Sequence, residues 1–296
     1  MELLSVGDLV GAGEYRLLSR FRGAVAFTPE RKRACWRRTP RLACVVEEAK
    51  GQGPLNIVVR GLDLAAVDSL EVRAGHVRLG QAREAIRRRY DSGLRLNGAK
   101  PEILRTNLAT LKRALLVQCP AGSLAFLLDG ISLTPALSPN GGEGEGFETA
   151  LARALRAGTE RLLAGDLEGG AAALKGLGHG LTPSGDDFLA GFLLGLNALQ
   201  SGFGVDFGTQ ILTIRRAARS GNRFAEAFLD CAARGRYSEH AKGLVKALFE
   251  DAGADIPVLA RRVLAYGATS GADLAVGLFC ALEQHRPAAA CMETIS

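Results

Sequence analysis

The sequence predicts an α+β protein, with a β-rich part over residues 1–100 and a mostly helical part over residues 101–296. Three observations predict it. Short β-branched or apolar runs separated by turn residues fill the first part. Apolar residues at helical spacing fill the second, beginning at a proline acceptable in a first helical turn. Two apolar segments late in the chain open with nearly the same Thr-(Pro)-Ser-Gly-x-Asp sequence.

In chain order, GAVAF (23–27), LACVVEE (42–48) and LNIVVR (55–60) read as strands, with Thr28-Pro29 and Gly51-Gln52-Gly53-Pro54 between them. VDSLEV and HVRLG are candidates for two more, and the basic QAREAIRRRYDSG (81–93) reads as a helix or turn. PEILRTNLATLKRALLVQ (101–118) is the first clear helix. The Gly-, Pro- and Ser-rich stretch 131–147 reads as an exposed loop, with helices resuming at Phe147. FETALARALRAGTERLLAG, LEGGAAALKG and SGDDFLAGFLLGLNALQ follow as helices. TQILTIRRAARSGNRFAEAFLDCAARG (209–235) reads as one long helix, then SEHAKGLVKALFE, IPVLARRVLAYG and SGADLAVGLFCALEQH complete the set.

Hydrophobic residues make up 47% and charged residues 23% of the 296, a globular balance that argues against general disorder. The net charge of +6 suits an anionic ligand without establishing nucleic-acid binding, and 6% aromatics leave few stacking platforms. The basic run RKRACWRRTPR (31–41) reads as a solvated strand edge or partner surface. Six cysteines form no CxxC pair and four histidines are scattered, so reduced thiols are the simpler reading than a zinc site. The longest apolar run, 188–196, is short of the ~20 residues of a membrane span, and Met-Glu-Leu-Leu soon meets Asp8, unlike a signal peptide. A cytoplasmic protein is the expectation.

The stretch GLGHGLTPSGDDFLAGFLLGL (176–196) carries the chemistry. It has a partner in GATSGADLAVGLFCAL (267–282), where Thr269, Ser270, Gly271 and Asp273 stand opposite Thr182, Ser184, Gly185 and Asp187, and Gly277 opposite Gly191. With Ser184 and Ser270 as N-caps, Asp187 and Asp273 fall at the third helical position, a reciprocal capping pattern in which each cap contributes about 1 kcal/mol. Capping does not account for Gly178-His179-Gly180, Thr182 or the second carboxylate, Asp186, which has Ala272 opposite it. Glycines that let backbone N–H groups converge, two helix starts and four hydroxyls together suit a carboxylate or phosphate. The carboxylates would instead accept from an amide NH₂, or hold Mg²⁺ against a phosphate. This makes Ser184, Asp186 and Asp187 the candidate catalytic residues, and Gly178, His179, Gly180, Thr182, Gly185, Thr269, Ser270, Gly271 and Asp273 the candidate substrate contacts. His179 reads either as a general acid or as an incidental loop residue. GLGHG is not GxGxxG and follows a helical pattern; no GxxxxGK[ST] or GxSxG is present.

These two motifs, with FAEAFLDCAARGRYSEHAKGLVKAL (224–248) between them, resemble the AllH-like family, which includes a subunit of oxamate carbamoyltransferase. The resemblance covers about residues 100–285 and implies carbamoyl transfer between carbamoyl phosphate and oxamate or oxalurate, in the breakdown of allantoin and other purine-derived ureides. It also implies companion subunits and no firm cofactor; a place for Mg²⁺ follows from the carboxylates alone. The family pattern usually has Pro where this chain has His179, and the Ser-Thr-Arg-Thr-Arg phosphate motif of ordinary transcarbamoylases is missing. A non-catalytic scaffold or small-anion-binding subunit is the alternative, and nucleic-acid binding rests on charge alone.

Overall fold

The computed structural model describes residues 1–30, 42–128 and 144–287. The basic run 31–41 and residues 131–143 of the expected exposed loop lie outside the described residues. The chain divides into two compact units: residues 1–94 with 221–242, and residues 95–220 with 243–296.

Among the described residues, the first unit is built on a nine-stranded sheet in the order β8-β7-β6-β2-β3-β4-β5-β1-β9. Its strands are β1 (Glu2–Gly7), β2 (Gly13–Phe21), β3 (Ala24–Pro29), β4 (Ala43–Glu47), β5 (Asn56–Arg60), β6 (Ser69–Val72), β7 (His76–Leu79), β8 (Ala82–Ala85) and β9 (Arg89–Tyr90). Neighbours run antiparallel except β4–β5 and β1–β9, which are parallel. The central strands read as continuous apolar runs because both faces are covered. Val25 and Phe27 of β3, Val45 of β4 and Ile57 of β5 point into one core, with Val6, Val72 and Val77. The alternate residues Ala26 and Cys44, with Leu55 just before β5, pack on the other face against Ala227 and Cys231 of α6 (Arg223–Ala233). Strands β1 and β2 exceed the sequence reading. The basic 81–93 stretch corrects it, forming β8 and β9 rather than a helix. Alternating exposure along β8 shows why: Arg83 and Ala85 face solvent beside half-buried Ala82 and Glu84, a period of two that charge had obscured.

The second unit is helical. It contains α1 (Pro101–Gln118), α2 (Gly144–Leu163), α3 (Leu167–Leu174), α4 (Ser184–Phe203), α5 (Gly208–Ala217), most of α7 (Glu239–Glu250), α8 (Ile256–Leu264) and α9 (Ser270–His285). Helix α2 begins at Gly144, three residues before the expected restart. The single helix expected over 209–235 is two, α5 and α6. Gly221 at φ 79° breaks the run, and Asn222 caps the new helix by accepting from the N–H groups of Phe224 and Ala225. Asn107 of α1 is buried and donates to the carbonyls of Ala247 and Asp251 at 3.0 and 2.9 Å, closing the end of α7.

Helices α4 and α9 are apolar on nearly every side because other helices surround them. They run parallel and touch through backbone. A Cβ added at Gly191 would stand 1.9 Å from the Leu274 carbonyl oxygen, and one at Gly277 would stand 2.0 Å from that of Phe188. Both helix starts therefore lie at the same end of the pair. Among the described residues no helix is long and apolar enough to cross a membrane, and Cys44, Cys119, Cys231 and Cys280 are free thiols.

Candidate functional site

The approach to α4 is shaped by its glycines. Gly178 sits at φ 116°, where a side chain is strained, and an added Cβ would stand 2.6 Å from the Ser184 nitrogen. His179 and Gly180 lie exposed in this loop, and Thr182 and Ser184 are half-buried at its end. Pro183, at φ −57° and ψ 146°, is the residue before the helix. The corresponding place before α9 belongs to Thr269. The expected N-caps are thus corrected by one residue. Ser184 and Ser270 are the first helical residues, and neither helix start has a side-chain capping bond. Pro183 has no side-chain acceptor to offer, and the Thr269 hydroxyl is engaged with Asp273.

The carboxyls of Asp187 and Asp273 each have one hydroxyl partner from the opposite helix start and one from their own. Asp187 of α4 is hydrogen-bonded by the hydroxyls of Ser270, at the start of α9, and Thr182. Asp273 of α9 is hydrogen-bonded by the hydroxyls of Ser184, at the start of α4, and Thr269. Thr182 Oγ1 and Ser270 Oγ are 3.0 Å apart, closing the ring of contacts. Gly185 and Gly271 lie beneath, where an added Cβ would meet the carbonyl oxygens of Leu174 and Val263 at 2.0 and 2.1 Å. Asp186 turns the other way and accepts from the Gly176 N–H at 3.1 Å, tying the start of the glycine loop to α4.

The site is layered: exposed loop, half-buried hydroxyls, and carboxyls below. Asp187 is 7% exposed and Asp273 fully buried. Burial raises both above the usual aspartate range, most strongly Asp187. The hydroxyls and the Leu124 N–H oppose that rise, while neighbouring Asp273 and Asp186 add to it at Asp187. One oxygen of each, Asp187 Oδ2 and Asp273 Oδ2, is buried without a hydrogen-bond partner among the described residues. Among the described residues no three His, Cys, Asp or Glu side chains gather as a metal site.

Both motifs meet at one end of this helix pair, and one family model covers that part of the chain. Residues 174–282 match the AllH family. Its model carries the description "Oxamate carbamoyltransferase subunit AllH". No curated protein and no solved structure matches the chain. The AllH segment runs from the last residue of α3 almost to the end of α9, and so contains every candidate residue named above.

Some of what holds the two motifs lies outside the matched segment. The Leu124 N–H donates to Asp273 Oδ1 at 2.7 Å. It belongs to the turn after Cys119-Pro120-Ala121-Gly122-Ser123, where Ser123 is buried and donates to the Pro120 carbonyl at 2.8 Å. Burial, with a smaller contribution from Asp273, pushes the Cys119 thiol up to about 11. Nothing in the sequence linked this turn to Asp273, because a backbone donor carries no residue signature.

Proposed function

We propose that this chain is a subunit of an oxamate carbamoyltransferase complex, acting with companion subunits in purine-derived ureide breakdown. The observation that carries the reading is the AllH match over the segment holding both motifs. In the reaction proposed, the oxamate amide nitrogen attacks the carbamoyl carbon of carbamoyl phosphate. The bond from that carbon to the phosphate oxygen breaks, phosphate leaves, the nitrogen loses a proton, and oxalurate forms.

Both substrates carry an anionic end and an amide. The proposed site offers partners for each. Two adjacent helix starts and the N–H groups of a glycine loop favour anions. Thr182, Ser184, Thr269 and Ser270 supply hydroxyls at the half-buried level. Asp186 is assigned the role of accepting from a substrate amide, although it is 2% exposed and already accepts from the Gly176 N–H. One observation favours the second reading, a small-anion-binding or scaffold subunit whose partner performs the chemistry: Asp187 and Asp273 already engage internal hydroxyls.

Ligand-dependent thermal stability tests the site. Saturating oxamate or carbamoyl phosphate is expected to raise the melting temperature, with about 2.7 kcal/mol of stabilisation at a hundredfold excess over Kd. Asp186→Asn, which keeps an acceptor for the Gly176 N–H, is expected to weaken that binding more than about tenfold, a loss above ~1.4 kcal/mol, with the unliganded transition little changed. Tight, salt-resistant binding of duplex DNA with no response to either small anion contradicts the reading.

A further inference from the structure

The similarity between the two motifs extends backward through the helices that precede them. Asp166 stands before α3 and accepts from the Gly169 N–H at 3.0 Å; Asp255 stands before α8 and accepts from the Val258 N–H at 3.0 Å. Each short helix then closes with the same bond, Leu177 N–H to Leu174 O and Tyr266 N–H to Val263 O, both at 3.1 Å. The glycine at the second position of each long helix donates back to the same place, Gly185 to Leu177 O and Gly271 to Tyr266 O, both at 2.9 Å. Thus α3–loop–α4 and α8–loop–α9 are two copies of one helix–loop–helix unit, packed in parallel through Gly191 and Gly277. The first copy differs in a longer loop bearing His179, and in Asp186, where the second has Ala272.

We propose that Asp187 and Asp273 are positioning residues: each reaches out of its own copy to hold the serine that opens the long helix of the other, and together they fix the spacing of the two loops. The inference rests on the reading that these loops form the ligand-facing surface. It assigns neither carboxyl to the reacting atoms. Both lie below the hydroxyls, and a ligand reaching the helix starts meets Thr182, Ser184, Thr269 and Ser270 first. A reciprocal tie of this kind has a specific consequence. Moving one loop releases a hydroxyl from the carboxyl of the opposite copy, so the loops hold one spacing rather than two independent positions.

Double-mutant cycles on the full chain test it, because local capping and crosswise holding couple different pairs. Unfolding constants in urea are expected to be non-additive by about fivefold or more for Ser184→Ala with Asp273→Asn, and for Ser270→Ala with Asp187→Asn. The within-copy pairs, Ser184→Ala with Asp187→Asn and Ser270→Ala with Asp273→Asn, are expected to be additive. Coupling within copies and additivity across them overturns the proposal in favour of capping. Should an alanine variant fail to fold, Ser184→Cys and Ser270→Cys, which keep the side chain's shape but remove the hydroxyl, replace it in the cycle and are expected to show the same non-additivity, whereas Ser184→Thr and Ser270→Thr, which retain the hydroxyl, are expected to be additive. In the assembled complex, Ser270→Ala is expected to raise the KM for oxamate or carbamoyl phosphate at least about fivefold with kcat changed less than about twofold. Unchanged KM beside intact coupling makes the tie structural only and overturns the positioning role. A native complex without transfer activity counts against the proposed function instead, while the cycles still decide between crosswise and local holding.

Discussion

Gly277→Ala is expected to lower stability by about 3 kcal/mol or more, and Gly191→Ala to do the same. The new methyl carbon at Gly277 would stand 2.0 Å from the Phe188 carbonyl oxygen, and the one at Gly191 would stand 1.9 Å from that of Leu274. Both obstacles are helix backbone, so no side-chain rotation relieves them, and the helices must separate. Alanine's better helix propensity returns only about 1 kcal/mol, well below the cost of separation. For a unit of this size the net loss corresponds to a melting temperature lowered by roughly 6–12 °C. Gly243→Ala is the control of opposite sign. Gly243 lies within α7 with nothing within 4 Å of an added Cβ, so the propensity gain is expected to appear as a small stabilisation. Equal effects at Gly243 and Gly277 in thermal unfolding contradict the backbone contact between α4 and α9.

The second large effect is a stability that falls as pH rises. Burial lifts the folded-state pKa of Asp187 and Asp273, so the native chain holds protons that the unfolded chain has released. Below the ordinary aspartate value of about 3.9, both states are protonated and the two residues have no effect. Between there and their raised values, each is expected to subtract up to about 1.4 kcal/mol per pH unit. Above the raised values the loss is complete and the slope vanishes. Glu48, Glu71 and Asp166 act in the opposite sense. Their pKa values are lowered, chiefly by hydrogen bonds from Arg60, Arg73 and Arg161. Their stabilisation is present above the unfolded pKa and lost as pH falls; Glu48 and Asp166 are exposed and Glu71 is half-buried beside Arg73 and Arg78. Comparing the native chain with Asp187→Asn and Asp273→Asn isolates the buried pair, because Asn cannot release the proton. The variants are expected to gain stability relative to the native chain from pH ~4 upward. A difference independent of pH, measured by urea unfolding, contradicts the burial of ionisable carboxyls.

Much of the helical unit was legible in the sequence, because each helix carries its own periodicity and punctuation. Pro101 opens α1 and the spacing of its leucines continues it to Gln118. The meeting of two similar motifs at one end of a helix pair was also legible, from Gly191 and Gly277 standing in step. The partners of the carboxyls were not. Ser-Gly-x-Asp satisfies a local capping pattern as well as a crosswise one, and only three-dimensional placement distinguishes Ser184 from Ser270 as the partner of Asp187. The sheet was read in part for a related reason. β3, β4 and β5 announce themselves by apolar residues on both faces. The first strand, Glu2–Gly7, is short and mixed, and the arginines around β8 and β9 concealed their alternation. The split between α5 and α6 turned on Gly221-Asn222, a break-and-cap pair within a run of otherwise good helix formers.

The central claim is that this chain serves carbamoyl transfer, and oxalurate formation tests it most directly. The complex purified through this chain with its companion subunits, given oxamate and carbamoyl phosphate, is expected to form oxalurate and phosphate in equal amounts. The companions prepared without the chain are expected to form neither. A complete complex that makes no oxalurate, or companions that make it equally fast in the absence of this chain, would contradict the account.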